Sequence, residues 1–271
     1  MKTIEVTMSD HTIQHAIILA AGKNTRFDTG IPKCLHKVDE ITLLERHIRE
    51  LHKIYCHKIA VVVGHRAQIM EEYLHGLNHS LIMPVEIIRN HEYEMGNVRS
   101  ILATKDWIQN QNATHFFCTM SDHIYEVSFY RQLVRSVDRI RSLPAEVHPG
   151  LSILNLVVDK ADTHNAHIDI DDVTKVHLAE VKRFLTPIES IGKSLSEYNY
   201  FDTGFFLLKS DIFAHISEAI ESIGDGISHT VTHLTKNRQA SALDLTGHYW
   251  NDVDTPEDYM IVMSHVNRLK T

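Results

Sequence analysis

The sequence predicts an α/β fold: a mostly parallel sheet flanked by helices, with a β-rich insertion in its second half. Two observations predict it. Short apolar runs alternate with segments of helical spacing up to about residue 158, and from about 159 to 209 shorter β-type runs replace that alternation. Strands that read as unbroken apolar runs are buried on both faces, the mark of a parallel sheet covered by helices.

Ala16-Ile17-Ile18-Leu19-Ala20 is the first such run and ends in small residues. A polar loop follows to about Asp39. Thr42-Leu43-Leu44-Glu45 then has the spacing of a capping box, with Leu44, Ile48, Leu51 and Tyr55 at helical intervals behind it. Ile59–Gly64 is the next buried strand, so this helix is the crossover of a βαβ unit. The pattern continues with a helix over Arg66–Leu77, a strand over Val85–Arg89 and a helix over Val98–Ile108. A strand over His115–Met120, a helix over Ser128–Arg141 and a strand over Leu151–Val158 follow. Val173–Leu178, Glu180–Leu185 and Thr203–Leu208 are the short strands of the insertion. Helices near Asp211–Ser222 and His229–Asn237, a strand, and a closing helix over Pro256–Leu269 complete the chain. No repeat, linker or low-complexity tract divides it, so one domain over 1–271 is expected, with 1–15 as an N-terminal extension.

Composition excludes several classes. The 271 residues are 43% hydrophobic and 23% charged, with a net charge of −8, which argues against a protein that coats nucleic acid. No apolar run approaches the roughly 18 residues that span a bilayer, and Met1–His15 lacks the apolar core of a signal peptide. Three cysteines without CxxC spacing fit reduced thiols and a cytoplasmic setting. The 21 histidines are scattered, with no HExxH and no cluster at metal spacing, so no zinc site is expected from them.

Ligands in such sheets bind beyond the carboxyl ends of the strands, and three unusual segments fall there. The first is Leu19–Leu35, which contains Ala20-Ala21-Gly22-Lys23-Asn24-Thr25-Arg26 and then Pro32-Lys33-Cys34-Leu35. Small residues let backbone N–H groups approach a phosphate chain, and Lys23, Arg26 and Lys33 can neutralise it. It is neither a Walker loop nor GxGxxG; the alternative is an ordinary polar loop. The second is Met120-Ser121-Asp122-His123, where a carboxylate at a strand end suits Mg²⁺ beside phosphates, or merely a turn. The third is Trp250–Asp258. Thr255, Pro256 and Asp258 read as N-cap, N1 and N3 of a helix. Asp252 and Asp254 precede the cap and are not needed for it; their alternation fits an extended segment that projects both to one side, and the alternative is a solvated turn.

Together these residues resemble the sugar-nucleotidyltransferase superfamily of MobA-like NTP transferases, whose members open with LAAGxGxR…PK on a Rossmann-like fold. The likeness runs from Ala16 to about Val262. Within that superfamily it leans toward CTP-using cytidylyltransferases of the inositol-1-phosphate type, with phosphocholine and phosphonate cytidylyltransferases nearby. That leaning rests on Tyr93–Leu102, Met120–His123, Asp172–Val176, Ile191–Lys193, Asp202–Gly204 and Trp250–Asp258.

The resemblance implies that Leu19, Ala20, Ala21, Gly22, Lys23, Asn24 and Thr25 hold the nucleotide. Arg26 and Lys33 would grip the triphosphate, and Gly96, Asn97 and Ser100 would read cytosine. Asp122 and Asp254 would carry Mg²⁺ with Asp252 as a third contributor, and Lys175, Lys193 and Asp202 would face the acceptor in the β-rich region. Arg26, Lys33, Asp122 and Asp254 are the catalytic set. Asn24 stands where a second glycine is usual, and asparagine tolerates positive φ better than other residues.

The implied partners are CTP and a small phosphate- or phosphonate-bearing acceptor, with pyrophosphate released, no nucleic acid or membrane, and a homodimer by likeness alone. A composition rich in Asn, Gln, His and Met does not look heat-adapted, which favours a phosphonate or another small phospho-alcohol over inositol phosphate. The rival readings are another NTP with a sugar 1-phosphate, a glycosyltransferase using Asp252-Val253-Asp254 as a DxD motif, and a nucleotide-sensing subunit without turnover.

Overall fold

The computed structural model describes residues 13–23, 26–27, 29–144, 150–181 and 184–270. Its elements in chain order begin with β1 His15–Ala20, β2 Lys37–Val38, β3 Ile41–Thr42, α1 Leu43–Lys53 and β4 Lys58–Val63. Next come α2 Ala67–Asn78, β5 Glu86–Arg89, α3 Asn97–Leu102, α4 Lys105–Asn110, β6 His115–Met120, β7 His123–Tyr125 and α5 Val127–Arg141. The second half holds β8 Leu154–Lys160, β9 Lys175–His177, β10 Thr186–Pro187, β11 Ser190–Gly192 and β12 Tyr200–Lys209. It closes with α6 Ile212–Ser222, α7 Ile227–Thr235, β13 Ala240–Asp244, β14 Trp250–Asp252 and α8 Pro256–Ser264.

The main sheet runs β10-β13-β8-β12-β6-β1-β4-β5. β1 is parallel to β4 and β6, β4 to β5, and β8 to β13, while β12 lies antiparallel between β6 and β8. The expected mostly parallel sheet is therefore present. β1 shows why both faces are covered. Ala16, Ile18 and Ala20 enter one core, whereas Ile17, Leu19 and Ala21 enter the other. Period-2 alternation delivers an unbroken apolar run to two cores at once. Burying Ile17 or Ile18 fully contributes about 1.5–3 kcal/mol each. A third, smaller core gathers Phe27, Val38, Tyr249, Val253 and Val262 beneath α8.

α1 starts as expected, with the Thr42 hydroxyl accepting from Glu45 N at 3.0 Å. Four expectations need correction. The single helix over Val98–Ile108 is two short helices, because the buried Thr104 turns its hydroxyl back to Ile101 O at 2.7 Å and breaks the run. The strand expected from Leu151 begins at Leu154, since the Asn155 amide binds both the N–H and the C=O of Ser152 in place of a ladder. Within 180–185 the described residues form no strand. Pairing waits until Thr186–Pro187, at the sheet edge where a proline is tolerated. The closing helix stops at Ser264 and continues as a 3₁₀ turn over Val266–Leu269.

Two features bring distant segments to the carboxyl ends of β1 and β6. β14 pairs antiparallel with β7, setting Asp252 opposite His123, and Val253 N donates to Asp122 O at 2.9 Å. β12 is irregular between Asp202 and Phe206, with Gly204 at φ +73°. Bulges of this kind re-aim a strand beside a site. The three cysteines are free and buried, and no helix among the described residues is long and apolar enough to cross a membrane.

Candidate active site

Two cavities meet at the ends of β1 and β6. One, of about 200 Å³, is lined by Leu19, Ala20, Ala21 and Gly22 on one side and by Gly96, Asn97 and Ser100 on another. The second, of about 190 Å³, is lined by Asp172, Lys193, Asp202, Asp252 and Asp254. Asp122, Asn97 and Met120 line both and form the wall between them. The predicted nucleotide and acceptor residues thus fall largely into two adjoining compartments.

The small residues of the first compartment permit close approach. His65 N donates to Ala21 O at 3.0 Å, tying the loop after β1 to the end of β4. Gly96 is hemmed in, and a Cβ there would lie 2.2 Å from Asp225 O on the corner between α6 and α7. Asn97 Oδ1 accepts from Ile227 N at 2.8 Å, fastening the same corner. Ser100 Oγ accepts from Asn90 Nδ2 at 3.0 Å.

At the junction sits a charge cluster. Lys33 is 4% exposed, 2.9 Å from Asp122 Oδ2 and paired also with Asp254 Oδ1. Burial alone would lower its pKa, but the two carboxylates outweigh burial and hold the ammonium above its ordinary range. Asp122 is the mirror case. Burial would raise it, yet Lys33 and His123 hold it far below the usual carboxylate range. Arg26 pairs with Asp254 and, at 2.8 Å, with Asp172 Oδ2. Asp172 Oδ1 receives Lys193 Nζ at 2.5 Å. One continuous chain of charge runs Asp122–Lys33–Asp254–Arg26–Asp172–Lys193.

Asp252 stands beside this chain without an ion-pair partner among the described residues. Burial, with Asp254 and Asp122 nearby, pushes it up to about 6 against the pull of His123. Oxygens of Asp172, Asp252 and Asp254 lie within 4.8 Å of one another. Hard oxygen donors in excess of cations are what a divalent magnesium-type ion requires, so the residues present fit such an ion.

Some predicted residues are placed otherwise. Lys175 is buried and does not line the second cavity. Its ammonium donates to Lys193 O at 2.7 Å and lies over the Tyr198 ring, so it supports the strand that presents Lys193. Lys23 is held at the rim by Glu94 at 2.7 Å. Asn24 and Thr25 lie outside the described residues. Asp202 is buried and accepts from Gly204 N at 2.7 Å, shaping the bulge of β12 as well as lining the cavity.

Sequence reasoning missed two residues. Asp172 was visible only as the first residue of Asp172-Val173-Thr174-Lys175-Val176, with nothing local to say that it would bridge Arg26 and Lys193. His123 Nδ1 donates to Asp122 Oδ1 (3.0 Å), and the ring lies parallel to Trp250 at 6.3 Å between ring centres. Burial lowers its pKa, but Asp122, Asp252 and Asp202 outweigh burial and raise it. His215 and His233, which group with Glu218 away from this site, come from two helices and so have no spacing to read.

Comparison with known proteins adds the family. The model of the MobA-like NTP transferase domain matches residues 16–148. The chain carries a MobA-like NTP transferase domain. The matched stretch contains the loop after β1, Lys33, Gly96–Ser100 and Asp122. Beyond it, the bifunctional IPC transferase and DIPP synthase of Aquifex aeolicus is 30% identical over 250 residues, covering 91% of this chain and 50% of that protein. Its namesake from Thermococcus kodakarensis is 32% identical over 248 residues, covering 90% and 49%. The chain spans about half the length of these curated relatives.

The MobA-like domain and the C-terminal half of the chain also match solved structures along nearly their whole length. The inositol-1-phosphate CTP transferase from T. maritima superposes with a TM-score of 0.76 at 22% identity, covering 96% of this chain and 97% of that one. A UDP-glucose pyrophosphorylase complexed with UDP-glucose gives 0.75 at 16% identity, covering 94% and 99%. These likenesses show the fold, which is the Rossmann-like nucleotidyltransferase arrangement the sequence predicted.

Proposed function

We propose that this chain is a cytidylyltransferase that transfers CMP from CTP to an inositol phosphate and releases pyrophosphate. The observation that carries the reading is the Lys33–Asp122–Asp254 cluster: Asp122 stands on the wall shared by the two compartments, Asp254 lines the second, and buried Lys33 pairs with both. A two-substrate transfer between anions needs cations and metal-binding carboxylates at such a junction.

In this reading the first compartment takes the nucleotide. Ala20, Ala21 and Gly22 admit the base and ribose, and Gly96, Asn97 and Ser100 contact cytosine. Lys33 and Arg26 leave their carboxylates for the triphosphate, and the same two cations stabilise the departing pyrophosphate. The second compartment takes the acceptor. Lys193 receives its phosphate, and Asp172 and Asp202 accept hydrogen bonds from its hydroxyls. A polyol can use several carboxylates around one cavity, and the curated relatives are IPC transferases. Those two considerations outweigh the compositional argument for a phosphonate.

An oxygen of the acceptor phosphate attacks the α-phosphorus, one P–O bond forms, and the bond to the β-phosphate oxygen breaks. The acceptor is already ionised near neutral pH, so no general base is required. A magnesium ion held by Asp252 and Asp254, whose oxygens lie within 4.8 Å of each other, with Asp122 added once Lys33 turns to the triphosphate, would supply charge compensation to the phosphate oxygens.

The test is pyrophosphate release across CTP, UTP, ATP and GTP, each with inositol 1-phosphate, glucose 1-phosphate, phosphocholine and 2-aminoethylphosphonate. The reading expects release with CTP and inositol phosphate, dependent on added Mg²⁺. Release only with UTP or another NTP, or only with a different acceptor, would replace it. Cleavage of a nucleotide sugar with no pyrophosphate formed would place the chain among glycosyltransferases instead.

A further inference from the structure

A second group of ligating side chains lies away from the active site, on the hairpin of α6 and α7. We infer that His215, Glu218 and His233 form a binding site for a transition-metal ion of the zinc class. Glu218 Oε2 is 3.0 Å from His233 Nε2 and 3.5 Å from His215 Nδ1, and the three ligand atoms all lie within 4.8 Å. A metal bound at about 2.0–2.2 Å by imidazole and carboxylate sets its ligand atoms a little over 3 Å apart. The two sides at Glu218 match that spacing, and the third lies within 4.8 Å.

The hairpin geometry produces the group. His215 and Glu218 are three residues apart, on one face of α6, and α7 returns antiparallel past the corner at 223–226 to bring His233 alongside. The two imidazoles lie 5.9 Å apart between ring centres, their planes tilted by 49°. His215 Nδ1 is shielded from solvent and makes no hydrogen bond, although it points toward the Glu218 carboxylate. Buried polar atoms are normally satisfied, and a metal ion would satisfy this one and draw both rings onto the same carboxylate. The side chains of His215 and His233 are 21% and 18% exposed, and that of Glu218 is 58% exposed. An ion can therefore enter from solvent and keep water in its remaining positions.

The chemistry separates this site from the active site. Two imidazole nitrogens and one carboxylate select zinc, cobalt, nickel or copper, whereas the all-oxygen cluster of Asp172, Asp252 and Asp254 suits magnesium. The ion would staple α6 to α7. The corner they share presses Asp225 against Gly96 and fastens Asn97 through Ile227 N.

Zinc binding to the intact chain, measured in excess Mg²⁺ to occupy the acidic cluster, tests the inference. The wild type should retain one zinc equivalent more than His215→Ala/His233→Ala, give a Co²⁺ visible spectrum of nitrogen-ligated cobalt, and gain thermal stability on adding Zn²⁺. Glu218→Gln keeps an acceptor for His233 at an exposed position, so it should fold normally while losing that zinc equivalent. Equal zinc content in wild type and both variants would overturn the site. So would loss of stability in the variants that is the same with and without Zn²⁺, the behaviour of a plain hydrogen-bonded pair.

Discussion

Lys33 Nζ lies 2.9 Å from Asp122 Oδ2 although Lys33 sits in a 3₁₀ turn ahead of β2 and Asp122 in the turn after β6, and the lysine side chain is only 5% exposed. A buried ammonium is tolerable only when paired, so Lys33 and the carboxylates that hold it are one unit. Replacing Lys33 by Met should lower kcat for pyrophosphate release by roughly 100- to 1000-fold, the scale of lost transition-state electrostatics. It should also destabilise the fold by no more than about 3 kcal/mol. Breaking a buried pair is costly, but Asp122 and Asp254 keep 23% and 21% of their side chains exposed and can take up water. Steady-state assays and denaturant melts check the two effects separately.

Asp122→Ala should lower turnover by roughly a hundredfold or more at saturating CTP and Mg²⁺. Near-wild-type turnover in that variant would remove Asp122 from the metal-binding role. Chelation of divalent ions should abolish wild-type turnover, and added Mg²⁺ should restore it.

Asp172 and Lys175 are expected to behave oppositely. Asp172→Asn removes the charge that aligns Arg26 with Lys193, so the acceptor KM should rise by roughly 10-fold or more, the worth of a charged hydrogen bond. Lys175→Met leaves Lys193 in place and should show mainly as a lower melting temperature. An acceptor KM that rises as steeply for Lys175→Met as for Lys193→Met would return Lys175 to the acceptor pocket.

Gly204→Ala tests the bulge of β12. A Cβ there would lie 2.5 Å from the His123 ring, and φ is +73°, which side chains disfavour. We expect a stability loss of about 1–3 kcal/mol with reduced turnover, because His123 is pushed off Asp122. Unchanged stability and unchanged activity would show that His123 has room to move.

Asp202 makes stability depend on pH. Burial pushes its carboxyl up to about 6, against the opposing pull of Gly204 N–H and His123. The folded chain therefore holds this proton more tightly than the unfolded chain, in which an aspartate titrates near 4. The resulting stability is full below about pH 4 and is lost as pH rises through about 6. Asp202→Asn keeps the bond from Gly204 and should be more stable than wild type by about 2–3 kcal/mol at pH 8, with the gain gone at pH 4. A difference independent of pH in urea melts would refute the assignment.

Much of the frame was legible in the sequence because it depends on local pattern. The apolar run Ala16–Ala20 specifies a strand with two buried faces, Thr42–Glu45 caps α1, and Thr255–Asp258 caps α8 with both side-chain bonds in place. The helix break at Thr104 was not legible, since a threonine hydroxyl can point to water or back to a carbonyl, and packing decides which.

The candidate site divides in the same way. Sequence alone determined that Leu19–Gly22, Asp122 and Asp254 would stand at ends of strands or just before a helix, because small residues, strand lengths and caps fix those positions within a few neighbours. Only the tertiary structure decided which charges meet. Asp172 lies 146 residues from Arg26, Asp254 lies 221 from Lys33, and His233 reaches Glu218 only because α7 folds back on α6. Long-range pairing has no period to read, and burial then sets the pKa of each group according to whichever partner it finds.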